Sequence, residues 1–235
     1  MDVRLEWGPT GAAALAPECD VAVVVDVLTF STTVTVAADR GVAVRPFRWA
    51  DASAEDEARR LDATLARSRG EAKPGDVSLS PETFRTAGDL SRVVVPSPNG
   101  STICAILAEA GADVVVAGLR NRRAVAAHLS ARGGRVLVVP AGERWPDGSL
   151  RFAIEDLIGA GAIIAGLKGR PSPEARIAVS AYEAVRGQLL AVLEKCNSGR
   201  ELIERGFGED VRLASMLNCS EVAPVLVDGA YQRGV

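Results

Sequence analysis

Five short valine-rich runs, residues 21–27, 42–47, 93–96, 113–117 and 136–140, constrain this chain more than any other feature. Their apolar character is continuous rather than alternating. That pattern belongs to strands buried on both faces, in a sheet covered by helices. Turn and capping residues follow each run, and then a helix-like segment: 32–40, 52–67, 102–110, 122–131 and 152–167. The alternation predicts an α/β fold, a layered α/β/α arrangement with a mostly parallel or mixed central sheet. Further helical segments are expected at 173–194, 199–205 and 209–216, with an edge strand at 222–227. Residues 66–84, rich in Gly, Pro and Ser, read as a long connection. They cross a single domain of residues 1–235 or divide it into two subdomains.

The charge balance is even, with Lys+Arg 27 against Asp+Glu 30, and no long run of either sign occurs. Arg120, Arg122 and Arg123 form too short a basic cluster to track a nucleic-acid backbone, so no nucleic-acid partner is expected. Cys19, Cys104, Cys196 and Cys219 are scattered without a C-x-x-C pair, which argues against a zinc knuckle and for a reduced, cytoplasmic protein. No apolar run reaches the ~18 residues of a membrane span. The opening "MDVRLEWGPT" lacks a signal-peptide apolar region, so neither membrane nor export is expected. His128 is the only histidine and falls within a helix, which leaves no Ser-His-Asp triad. Neither a G-x-x-x-x-G-K-[ST] loop nor a G-x-G-x-x-G turn follows a strand.

In open α/β sheets, ligands sit beyond the carboxyl ends of the strands. After the first run come Asp26, Ser31, Thr32 and Thr33; after the third, Asn99, Gly100, Ser101 and Thr102. The fourth supplies Asn121 and Arg122. The fifth supplies Glu143 and Arg144, with Glu155 and Asp156 in the next helix. "VVVPSPNGSTI" therefore places Gly100 and two hydroxyls at a helix start, where unpaired N–H groups attract anions. Plain capping and turn formation are the ordinary alternative. Asp26 ends a buried run, so it needs a partner: a metal ion, a helix-end donor or a bond within its own loop. Glu155 and Asp156 lie off the apolar face of their helix. They act as favourable charge at its N-terminus or as oxygen ligands for a hard cation such as Mg²⁺. Gly159 and Gly161 are expected to let that helix lie close to the sheet.

"VVVDVLTFSTTVTVA", "SLSP", "SPNGST", "GLRNRRAVA", "AGERWPDGSLRFAIEDLIGAGAII" and "SGRELIERGFGEDVRLAS" occur in that order. Together they resemble the 2-phosphosulfolactate phosphatase family from about residue 20 to the end. The resemblance implies a Mg²⁺-dependent phosphatase of α/β fold. The family reaction releases phosphate from 2-phospho-3-sulfolactate, a step toward coenzyme M. By the same resemblance, Asp26, Thr32, Thr33, Asn99, Gly100, Asn121, Glu155 and Asp156 match family site positions. Two departures stand where substrate would bind. Thr29 replaces an Arg frequent after "DVL", and the 142–151 loop is longer, with Glu143 and Arg144 where small neutral residues are common.

The resulting expectation is Mg²⁺ held by Asp26 with Glu155 or Asp156. Ser31, Thr32, Thr33, Asn99, Gly100, Ser101, Thr102, Asn121 and Arg122 contact a small phosphorylated acid. Asp26, Glu143 and Arg144 carry the chemistry, with water attack and a phospho-aspartate on Asp26 both open. A phosphatase for a non-sulfonated ester and a non-catalytic anion binder are the alternatives. Oligomeric state is open, a homodimer being one arrangement.

Overall fold

A computed structural model describes residues 1–49 and 51–233. Twelve strands are described: β1 Asp2–Leu5, β2 Val21–Val25, β3 Ala43–Phe47, β4 Thr64–Leu65, β5 Arg92–Pro96 and β6 Asp113–Val116, then β7 Arg135–Pro140, β8 Glu143–Arg144, β9 Leu150–Arg151, β10 Arg170–Pro171, β11 Pro224–Val227 and β12 Ala230–Arg233. Ten form one sheet in the order β10-β1-β7-β2-β6-β11-β12-β3-β5-β4. The blocks β10-β1-β7-β2-β6 and β3-β5-β4 are each parallel. The antiparallel hairpin β11–β12 splices them, pairing with β6 on one side and β3 on the other.

The valine runs form the central strands because both of their faces are covered. Val21, Val23 and Val25 pack into one core with Ile158, Ile163 and Ala178. Ala22 and Val24, pointing the other way, pack into a second core with Val34, Ile103 and Leu107. Helices therefore lie on both faces, an α/β/α sandwich with a mostly parallel, mixed sheet. A Cβ on Gly159 would come 2.7 Å from Val27, and one on Gly161 would come 1.9 Å from the Ala178 carbonyl. The helix Ile154–Ile164 thus approaches the sheet through one glycine and the helix Pro173–Val185 through the other.

Several expected boundaries shift for identifiable reasons. The first run leaves the ladder at Val25, because the Asp26 and Val27 amides bond Ser31 Oγ and Asp156 Oδ1 instead. The helix expected over 52–67 stops at Leu61, where Asp62 takes a left-handed conformation and β4 joins β5. The run 222–227 is not an edge strand; β11 sits inside the sheet. The 173–194 segment divides into the helices Pro173–Val185 and Leu189–Lys195. β1 and the helix Gly8–Leu15 fall outside the sequence expectation. The 66–84 segment leaves β4 and returns through the helix Pro81–Thr86 to β5, beside β4.

Candidate active site

Asp26 stands at the carboxyl end of the central strand β2, and both of its oxygens are held by backbone amides. Phe30 N–H donates to Oδ1 at 3.1 Å and Gly100 N–H to Oδ2 at 3.2 Å. Gly100 opens the helix Gly100–Glu109, which leaves β5 and packs across β2. Only glycine permits that approach: a Cβ there would lie 2.3 Å from Phe30 Cδ1 and 3.0 Å from Asp26 Oδ2. Alanine would favour a helix by up to ~1 kcal/mol. Overpacking a fully buried ring costs about 1–3 kcal/mol, so the clash wins. Gly100→Ala is expected to destabilise the protein by about 1–2 kcal/mol in urea unfolding and to weaken activity together with it.

The register Val25↔Pro140 brings the loop after β7 alongside Asp26. Asp156 ties the two loops together, taking Val27 N–H on Oδ1 at 2.7 Å and Gly142 N–H on Oδ2 at 2.9 Å. Glu155 and Asp156 are both buried in the first turn of their helix. Burial, then the negative charges of Asp26 and Glu155, push Asp156 well above the usual carboxylate range. Burial also raises Asp26 to about 6, against the pull of the Phe30 and Gly100 amides, and Glu155 adds to the rise.

Glu143, in β8, completes the rim. Its Oε2 accepts from Asn99 Nδ2 at 3.0 Å, and Asn99 Oδ1 accepts from Arg144 Nε at 3.0 Å. Arg144 also reaches the Pro98 carbonyl, so the β8–β9 hairpin is fastened to the loop that starts the Gly100 helix. Burial pushes Glu143 up to about 7, helped by the charges of Asp26 and Glu155 and opposed by Arg151. Asp26, Asn99, Gly100, Glu143, Arg144, Glu155 and Asp156 therefore meet on one rim.

The remaining expected contacts turn elsewhere. Ser31, Thr32 and Thr33 donate their hydroxyls to the carbonyls of Val24, Val27 and Leu79. Ser101 and Thr102 donate to Val95 and Pro98. The Asn121 amide is fully buried, accepting from Gly118 N–H and donating to Val116 and Val222. Arg122 bonds the Tyr182 hydroxyl at 2.7 Å, away from the acids. These groups shape the loops.

The sequence profile of the 2-phosphosulpholactate phosphatase family matches residues 12–229. A protein of Methanothermobacter thermautotrophicus named 2-phosphosulfolactate phosphatase is 33% identical over 89% of this chain and 88% of its own. Proteins named probable 2-phosphosulfolactate phosphatase are similar too. That of Deinococcus radiodurans is 32% identical over 89% of each chain, and that of Thermotoga petrophila 26% over 91% and 92%. The chain belongs to the 2-phosphosulfolactate phosphatase family.

Within this member of the 2-phosphosulfolactate phosphatase family, sequence reasoning missed a second layer of side chains. Arg69 Nη2 lies 2.5 Å from Thr29 Oγ1, 2.7 Å from the Leu79 carbonyl and 3.2 Å from Asp210 Oδ2. Asp210 also accepts from Ser80 Oγ at 2.5 Å. Arg151 pairs with Glu201 at 2.6 Å beside the acidic rim. Nothing local in "RSRG" marks Arg69, because its side-chain partners lie 40 and 141 residues away.

The donor chemistry of the rim suits a hard cation. All the candidate ligands are carboxylate oxygens, and their crowding makes positive charge welcome. No group of three or more His, Cys, Asp or Glu residues is arranged to hold a metal among the described residues. An ion such as Mg²⁺ would use one or two carboxylates and complete its shell with water and substrate.

Proposed function

We propose that this chain hydrolyses 2-phospho-3-sulfolactate to 3-sulfolactate and phosphate, with Mg²⁺ as cofactor. One observation carries the reading: the amide-clamped Asp26, in a chain whose residues 12–229 match the family, shares its rim with Glu143, whose proton affinity is near neutrality. Asp26 and Glu155 would hold the cation, which neutralises phosphate oxygens when bound. Asp156 positions the Val27 and Gly142 backbone rather than reaching into the site. The first-turn amides of Ser101 and Thr102 receive the phosphoryl group, with Arg144 at the edge.

Glu143 takes a proton from the attacking water as its oxygen bonds to phosphorus. The bond from phosphorus to the C2 oxygen breaks, and the proton passes to that leaving oxygen. Asn99 keeps the Glu143 carboxylate turned toward the water. The same base would serve the hydrolysis of a phospho-aspartate on Asp26, were that route taken.

Phosphate release should be measured across a panel of small phosphomonoesters with and without Mg²⁺. 2-Phosphosulfolactate is expected to be hydrolysed fastest. Chelation should lower the rate at least ~100-fold, and added Mg²⁺ should restore it. Absence of phosphate release from every ester with every divalent ion would refute the proposal.

A further inference from the structure

A cleft of ≈ 990 Å³ opens beside the acidic rim, between the 66–79 loop, Pro96 and Pro98. Pro98 precedes Asn99, and Arg69 in the cleft wall bonds Thr29, three residues after Asp26. The cleft wall thus adjoins the rim through Pro98 and through Arg69, whose charge acts on Asp26. Arg69 and Arg205 lie over the Phe207 ring, at 5.2 and 5.7 Å from its centroid. Two guanidiniums thus gather at one aromatic ring; among the described residues Asp210 is the one carboxylate in ion-pair contact with them, and Asp26 acts on Arg69 from farther off. That carboxylate is already shared with Ser80. Arg69 Nε is buried without a partner. Neither Arg205 nor Lys73, both in the cleft wall, has a carboxylate within 4.0 Å among the described residues.

Acidic residues share the lining, but each is exposed and engaged locally. Glu55 pairs with Arg67, Asp51 caps Ser53, Glu71 accepts from Ser68 Oγ, and Asp76 accepts from Lys73 N–H. Exposed charges, those four acids and Arg205 alike, are screened by water and salt, whereas the Arg69 side chain is only 12% exposed. The local balance at Phe207 favours an anion.

We propose that Arg205, backed by Arg69, recognises the sulfonate of the substrate in this cleft while the phosphate lies against the Asp26–Gly100 rim. The assignment rests on the phosphatase reading above. Arg205 is a specificity residue, remote from the bond that breaks, so its effect falls on KM rather than kcat.

The test compares wild type, Arg205→Gln and Arg205→Lys on three esters. These are 2-phosphosulfolactate, 2-phospholactate, which lacks the sulfonate, and isopropyl phosphate, which lacks both acid groups. Arg205 is exposed, so its replacement leaves the fold intact. Arg205→Gln is expected to raise KM for 2-phosphosulfolactate at least ~10-fold with kcat within twofold, and to leave isopropyl phosphate unchanged. An unchanged KM for 2-phospholactate assigns the subsite to the sulfonate; an equal rise for both acids overturns that assignment. Arg205→Lys should recover part of the loss, and added salt should narrow the difference. Equal effects on all three esters, or none, would overturn the proposal.

A calorimetric titration with 3-sulfolactate separates this from the phosphatase reading. Wild type that hydrolyses none of the esters but binds 3-sulfolactate at least ~10-fold more tightly than Arg205→Gln refutes the hydrolysis and supports the subsite. Equal binding by both proteins, or no binding by wild type, overturns the subsite whatever the activity.

Discussion

Asp26→Asn is expected to lower phosphate release on the order of 10³-fold without unfolding the protein. The two consequences have separable causes. As an oxygen donor to a cation, asparagine keeps the shape and loses the charge, so the substitution also weakens Mg²⁺ binding. Calorimetric titration with the ion alone reads that directly. For stability, two effects oppose each other. The native carboxylate takes one amide on each oxygen, whereas asparagine offers one acceptor and sets an NH₂ against the other amide. A mismatched buried donor costs about 1–3 kcal/mol. Against that, the substitution removes a buried negative charge that Glu155 repels. A net fall of no more than ~1–2 kcal/mol follows. Asp26→Ala would strand both amides, and it should unfold more readily than Asp26→Asn. Full Mg²⁺-dependent activity in Asp26→Asn would contradict the assigned chemistry.

What could be read in the sequence followed local signals. Valine runs located five strands to within two residues; in β2, β5, β6 and β7 burial on both faces leaves a mark along the run, whereas β3, with Arg45 and Pro46, is mostly half-buried. The same logic exposed Asp26, since a carboxylate at the end of such a run needs a partner. β1 escaped because "DVRL" has only two apolar residues, in alternation. The β11–β12 hairpin did carry a signal: Asp228-Gly229, both with positive φ, is a strong two-residue turn pair. Nothing in that signal says that the hairpin lies inside the sheet. The Asn-Gly loop was identified as a concentration of donors. Its Gly100 amide turns to Asp26, 74 residues earlier, rather than only outward to a ligand. Ser80 and Asp210 lie in two of the resembling segments, "SLSP" and "SGRELIERGFGEDVRLAS", but their bonding to each other and to Arg69 was invisible for the same reason, as each pairing joins distant parts of the chain. Local chemistry predicts that a donor exists; the fold decides what it meets.

Glu143→Gln isolates the proton transfer. A general base contributes ~10²–10⁴-fold, so kcat should fall by about 10³ while KM changes little. Burial holds Glu143 above the usual carboxylate range, and a cation on Asp26 and Glu155 would offset the two charges that add to the rise, so activity with Mg²⁺ should rise with pH between the ordinary carboxylate range and about 7, as the base becomes ionised. In Glu143→Gln this limb should disappear, because glutamine does not titrate. Stability runs the opposite way. Folding raises the proton affinity of Glu143, and that of Asp26 to about 6, above the ordinary carboxylate range. Their protonation therefore stabilises the fold fully below the unfolded values, and that contribution is lost as pH rises through about 6 to 7. Acids held low, such as Asp20 at about 2, act only in more acidic solution. Without divalent ions the protein should thus be more stable at pH 5 than at pH 8, and Glu143→Gln should flatten part of that slope. Chemical denaturation across this range, in chelator, checks the sign. A wild-type rate independent of pH from the ordinary carboxylate range to about 7 would remove Glu143 from the proton transfer.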